Sequence, residues 1–281
     1  MSKSFLLLFF KKEGLAFSLF SDCPEPPAPL AMRPTLATFS TQYVPTEAQM
    51  DAHNRTIDHF KQVYAIIAGL ALTEACLHVL PLSGAGDFRI PLFFTLLITV
   101  VPIFHGGDRS LDVKYRNHYP QTARDRAALL WDDYMLLLTA VLFVCIAEAI
   151  PKAPEPGHPP AELHAQSFYH WMAIMLGFDV AVLIIDRWKS RAKERVRLKP
   201  YIAWIIINSL LGLVCWVVSG MSEPQGAGLA VTIPLPFGLS VAATLWQVSF
   251  AVFAAALLRT VADYEVEQGF LLARANRSFG A

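Results

Sequence analysis

Asp179 stands inside an apolar run from Phe168 to Asp186, where a carboxylate has few neighbours able to solvate it. A charge at the centre of a lone helix in hydrocarbon costs at least ~2.5 kcal/mol on insertion scales, so such a group faces a bundle interior, a partner or water. Asp179 lies seven residues before the end of its run, about 10 Å along a helix. Asn208 lies seven residues after the start of the next run at Tyr201, at a matching depth. If these two helices are neighbours, the pair can hydrogen-bond. Asp186 then falls two turns from Asp179 on the same face, and Gln247, in the last apolar run, stands nearer the midplane. Two kinds of chemistry fit this set. One is a polar clamp that holds helices together. The other is a site that binds a cation or exchanges a proton, because burial makes the Asp179 charge costly.

Two further groups carry chemistry-bearing residues. Glu74 and His78 are four residues apart on one helical face, and Glu148 occupies a comparable depth in another apolar run, so the three can form an acidic vestibule. Glu74 lies a turn deeper than His78, which is read as interfacial and reaching toward headgroups. In the second group, His105, Asp108, Asp112 and Tyr115 fall on one face if their helix continues, with Asp132 and Asp133 close by at the start of the next run. His105, Asp108 and Asp112 make a candidate metal set, suited to Zn, Mn or Mg. Gly106-Gly107 invites a break in that helix, and Asp132 and Asp133 also suit a helix cap, where negative charge meets the positive dipole end.

The elements that must position these groups are apolar runs. The 281 residues are 54% hydrophobic and only 16% charged, with a mean hydropathy of +0.42, against about 25% charged in soluble proteins. This composition excludes a disordered chain, a disulfide scaffold and an ordinary soluble enzyme. Runs near the ~20 residues that cross a bilayer extend from Val63 to Leu82, Ile90 to His105, Tyr134 to Ile150, Phe168 to Asp186, Tyr201 to Ser219 and Phe237 to Leu258. The expected fold is all-α, a polytopic bundle of six transmembrane helices over 60–264. It follows an N-terminal polar and proline-rich segment, 1–59, and precedes a short tail, 265–281. Trp131, Tyr134, Tyr169, Trp171, Tyr201 and Trp216 lie near run ends, where amphipathic rings favour the headgroup level.

Basic residues sort by loop. Arg109, Lys114, Arg116, Arg124 and Arg126 follow the second run, and seven Lys or Arg lie between Arg187 and Lys199. The alternate loops hold only Arg89 and Lys152, so both termini are expected in the cytoplasm. The segment Arg187 to Lys199 suits anionic lipid, at about 1 kcal/mol per basic residue. Near-zero net charge and the lack of a recognition module argue against nucleic acid. Ser4 to Phe10 is too short for a signal sequence, and Met32, after the four prolines Pro24, Pro26, Pro27 and Pro29, is the expected native start. Cys23, Cys76, Cys145 and Cys215 have no metal or redox spacing.

The first and third runs share a Glu-Ala pair at Glu74 and Glu148, and the second and fourth end in Asp-Arg at Asp108 and Asp186. This pattern suggests parallel repeats, a device found in some transporters. The expected function is transport: a cation or proton channel, or a small carrier, in the cell membrane (the inner membrane of a bacterium) and without a cofactor. Six helices enclose little space, so a channel would be a homo-oligomer, and Ala251, Ala254, Ala255 and Ala256 allow close helix approach. The alternatives are an integral-membrane enzyme built on His105, Asp108, Asp112, Asp132 and Asp133, or a noncatalytic sensor or effector that perturbs the membrane when triggered. No GxSxG, HExxH, CxxC or P-loop element supports the enzyme.

Overall fold

The computed structural model describes residues 44–80, 87–116, 118–152, 165–190, 198–224 and 229–268. The segment 1–43, with Cys23 and Met32, and the tail beyond 268 lie outside the described residues, as does most of the basic stretch Arg187 to Lys199. Six helices carry the fold: α1 Glu47–Val79, α2 Arg89–Tyr115, α3 Ala123–Glu148, α4 Ala165–Ser190, α5 Leu198–Ser219 and α6 Leu245–Gln268. Each has a segment long and apolar enough to cross a membrane. No more than 39% of the most apolar stretch of any span is buried. Leu77, Ile184, Ile206, Leu210, Leu213, Leu257 and Leu258 face outward while Thr95, Thr99, Asn208, Ser249 and Arg259 are buried. That is the arrangement a hydrocarbon solvent selects.

Consecutive helices run in opposite directions, and their neighbours close a ring in the order α1, α3, α4, α5, α6, α2, with α2 also touching α3. Leu92, Leu96, Phe143, Ile146, Tyr169, Met172, Met175 and Leu176 are all fully buried in its core. At what we name the terminal end, where α1 begins and α6 finishes, Lys61 of α1 meets Asp112 of α2. At the other end, the hairpin end, Arg89 of α2 donates to the His78 carbonyl of α1 at 3.0 Å.

Three features depart from the linear reading. First, α1 starts at Glu47, inside the segment assigned to a polar N-terminal stretch. Thr46 and Gln49 form a capping box, and Ile57 packs with Leu111 and Leu129. At 33 residues, α1 is about 50 Å long, well beyond the ~30 Å hydrocarbon core. Its projecting part lies along α2, with the His53 ring nitrogen 3.0 Å from the Tyr115 carbonyl. Second, Gly106 and Gly107 do not break α2, which also carries Pro102 in its interior. A Cβ at Gly107 would collide with the Leu136 side chain of α3, whereas one at Gly106 meets nothing within 4 Å. Gly107 is thus the close-approach point of α2 and α3. Gly107→Val is expected to lower stability by about 1–3 kcal/mol, while Gly106→Ala is neutral or raises it by about 0.5–1 kcal/mol; thermal unfolding in mild detergent reads both.

Third, the sixth helix begins at Leu245 rather than at Phe237. Ala230–Pro234 and Ser240–Thr244 form an antiparallel hairpin, β1 and β2, with Val231 opposite Ala243 and Ile233 opposite Val241. The β-branched residues favour strands, and Pro234 and Pro236 interrupt a helix. Phe237 and Gly238 both take positive φ at the tip, 67° and 75°, and Phe237 is wholly exposed. Ser222 ties the hairpin to the end of α5, its backbone N–H donating to Thr232 at 2.9 Å. Among the expected boundary aromatics, Trp131, Tyr134 and Trp216 are exposed, but Tyr169 is fully buried and its hydroxyl meets Ser249 of α6 at 2.8 Å. The Tyr201 side chain lies outside the described residues.

Candidate functional site

Among the described residues, two clusters of ionisable side chains stand out, a large one in the terminal half of the bundle and a small one at the hairpin end. The large cluster begins with paired charges. Lys61 of α1 sits between Asp108 and Asp112 of α2, at 3.0 and 2.8 Å. Lys114 bridges Asp132 of α3 and Asp186 of α4, at 3.0 and 2.5 Å. The Tyr115 hydroxyl donates to the same Asp132 oxygen at 2.8 Å. In the expected metal set, then, Asp108 and Asp112 come together around an ammonium group, while His105 is exposed and lies edge-on to Phe104. Asp132 and Asp133 do not cap α3. Its cap is Thr122, bonded reciprocally to Asp125, and the two aspartates sit in its third turn.

Asp133 is the unusual member. It is 2% exposed, and neither of its carboxylate oxygens has a hydrogen-bond partner among the described residues. It lines a narrow gap with Phe60, Tyr64, Leu111, Leu136 and Leu137, too tight to admit a water molecule. The Tyr64 hydroxyl in the same gap is also buried without a hydrogen bond. Buried polar groups are bonded in the great majority of cases, so two adjacent exceptions mark a place where the fold tolerates an unfavourable arrangement.

Farther into the bundle, Asn208 of α5 donates from Nδ2 to Asp179 of α4 at 2.6 Å, which joins the two depth-matched residues. Asn208 Oδ1 accepts from Arg259 Nε of α6 at 2.9 Å, and Arg259 lies 3.7 Å from Asp263 one turn along. Three helices are thereby linked through one side-chain chain. Tyr64, on the wall of the gap, stacks on Phe104 at 4.9 Å between ring centroids. Asp186 belongs to the Lys114 bridge rather than to the Asp179 network. Gln247 is removed from both: it is exposed in the first turn of α6, where its side chain accepts from the Thr244 backbone N–H at 2.9 Å. Counting residues from Phe237 places it near the midplane, and the hairpin moves it to a helix end.

The small cluster holds Glu74, His78 and Glu148, whose ligand atoms all lie within 4.8 Å of one another. His78 is not an interfacial side chain. It is 3% exposed, its Nδ1 lies 2.7 Å from the Ile150 carbonyl, and its Nε2 lies 3.0 Å from Glu74. Beside it, the buried Arg89 and Asp87 form an ion pair. The two Glu-Ala pairs of the suspected repeat therefore meet in space.

Sequence reasoning missed Lys61, Tyr64 and Arg259 as members of the large cluster. Arg259 had a signal: it lies inside the last apolar run, where an arginine needs a buried partner as much as an aspartate does. No model of a known protein family, no curated protein and no solved structure matches the chain, so its function rests on the chemistry of these residues.

Proposed function

We propose that the protein is an integral membrane transport protein that moves protons, using the carboxylates of the terminal half of the bundle. The observation that carries this reading is the pair of unpartnered buried groups, Asp133 and Tyr64, at the gap between α1, α2 and α3. A carboxylate buried without a donor is costly as an anion. A proton is the one cation that reaches it without coordination space, and the gap has none to offer. Tyr64 then links Asp133 to the Asp179–Asn208–Arg259 network, a series of ionisable groups leading inward from the terminal end.

The terminal end faces the cytoplasm in this reading. It carries Arg55, Arg109, Arg116, Arg124 and Arg126, whereas the loops of the hairpin end carry Arg89 and Lys152 alone. Short basic loops stay on the cytoplasmic side. The filled core of a single chain favours a carrier that alternates between closed states over an open pore. Such a carrier belongs in the cell membrane, where a proton gradient is available.

Reconstitution into liposomes with an internal pH dye tests the proposal. Wild-type protein is expected to dissipate or generate a pH gradient above the rate of empty liposomes. Asp133→Asn is expected to abolish that flux with expression unchanged, because the amide fits the same space and holds no exchangeable carboxyl proton. Tyr64→Phe and Asp179→Asn are expected to reduce it. Flux in Asp133→Asn equal to wild type, or wild-type flux equal to empty liposomes across pH and voltage, overturns the reading.

A further inference from the structure

We infer that Glu74, His78 and Glu148 form a binding site for one divalent transition-metal ion of the Zn²⁺ class at the hairpin end, a site separate from the proton path and independent of it. The imidazole decides this. His78 Nδ1 faces the Ile150 carbonyl at 2.7 Å, and a carbonyl oxygen only accepts, so Nδ1 carries a proton. In the neutral ring Nε2 is then a lone-pair donor. That lone pair lies 3.0 Å from a Glu74 carboxylate oxygen, with Glu148 inside the same 4.8 Å cluster. Two acceptors at that separation repel unless a proton or a metal ion lies between them.

A metal ion answers each part of the geometry. Ligating histidines characteristically donate their other ring N–H to a backbone carbonyl or carboxylate, which fixes tautomer and orientation. The Ile150 carbonyl, at the end of α3, already supplies that contact. Zinc binds His nitrogen and carboxylate oxygen at about 2.0–2.2 Å, which sets donors around one tetrahedral ion roughly 3.3–3.5 Å apart. The His78 to Glu74 distance is close to that, and Glu148 is exposed, so a small rotation of its side chain completes the set. Two carboxylates balance a double positive charge, and the neighbouring Arg89 is already paired with Asp87. The imidazole nitrogen selects against Mg²⁺ and Ca²⁺, which prefer all-oxygen sites. Three protein donors leave a fourth position for water. Because Glu74 and His78 belong to α1 and Glu148 to α3, the ion joins two helices that are adjacent in the ring.

The test uses full-length protein in nanodiscs, stripped with a chelator and then titrated with Zn²⁺, with bound metal counted by mass spectrometry after gel filtration. The expected result is one Zn²⁺ per chain and a raised melting temperature. Mg²⁺ should do neither. Glu148→Gln, at an exposed position that the fold does not depend on, is expected to weaken Zn²⁺ binding by more than about tenfold, and the double change Glu74→Gln with Glu148→Gln to remove it. Asp133→Asn, at the other end of the bundle, is expected to leave it unchanged. A wild-type chain that takes up no Zn²⁺, or one whose uptake survives the double change, overturns the inference; the first outcome would leave His78 as a protonated partner of Glu74 only.

Discussion

Replacement of Arg259 by methionine is expected to destabilise the protein by about 3–5 kcal/mol, the range for breaking one partner out of a buried ionic group. Arg259 is 6% exposed and Asn208 3%. The guanidinium is the positive charge against which Asp179, through Asn208, and Asp263 are arranged. Methionine fills a similar length but leaves both carboxylates without that charge and strips Asn208 Oδ1 of its donor. Asp179→Asn is the informative comparison, since an amide still bonds Asn208 and the change costs far less. The double change Asp179→Leu with Arg259→Met should recover only part of the loss, because it removes one of the two stranded carboxylates while Asp263 stays without that charge and Asn208 without its partners. Thermal and denaturant unfolding in detergent, run as a double-mutant cycle, measures the coupling. A single Arg259→Met variant that melts like wild type would mean that the network holds nothing together.

Asp133→Leu is expected to act in the opposite direction, raising stability by about 1–3 kcal/mol. This is the cost of leaving a buried polar group unbonded, which the apolar side chain removes. The walls of the gap are already Phe60, Leu111, Leu136 and Leu137, so leucine meets apolar surface on most sides. The same variant should carry no proton flux. Stability gained together with activity lost is the signature of a group kept for function at the expense of the fold. A variant less stable than wild type would instead show that Asp133 has a donor in the membrane-embedded protein, and the transport reading would lose its main support. Measuring melting temperature and flux on the same preparation separates these outcomes.

The membrane architecture was legible along the chain. A bilayer fixes the length of an apolar run, and a helix satisfies its backbone within itself. Six spans can therefore be counted without knowing how they touch. The Asp179 and Asn208 pairing was legible for the same reason: consecutive spans run antiparallel, and equal distances from the run ends at Asp186 and Tyr201 place two residues at one depth. The hairpin had a weaker signal, in the alternation from Val231 to Ile233 and the prolines that follow, but its residues are as apolar as those of a span and were counted into one. The structure returned Gln247 to a helix end accordingly.

Depth along the membrane normal is a one-dimensional quantity, and a sequence records it well. Rotation of each helix about its axis and the order of helices around the ring depend on which surfaces fit, through side chains distant in sequence. Only the tertiary structure placed Lys61 between Asp108 and Asp112, where a row of three- and four-residue spacings had suggested metal ligands. It likewise buried His78 against Ile150, seventy-two positions away, because α1 and α3 are neighbours in the ring. An interfacial histidine and a ligand to a metal share the same spacing from Glu74; what separates them is the carbonyl that the opposite helix brings to Nδ1.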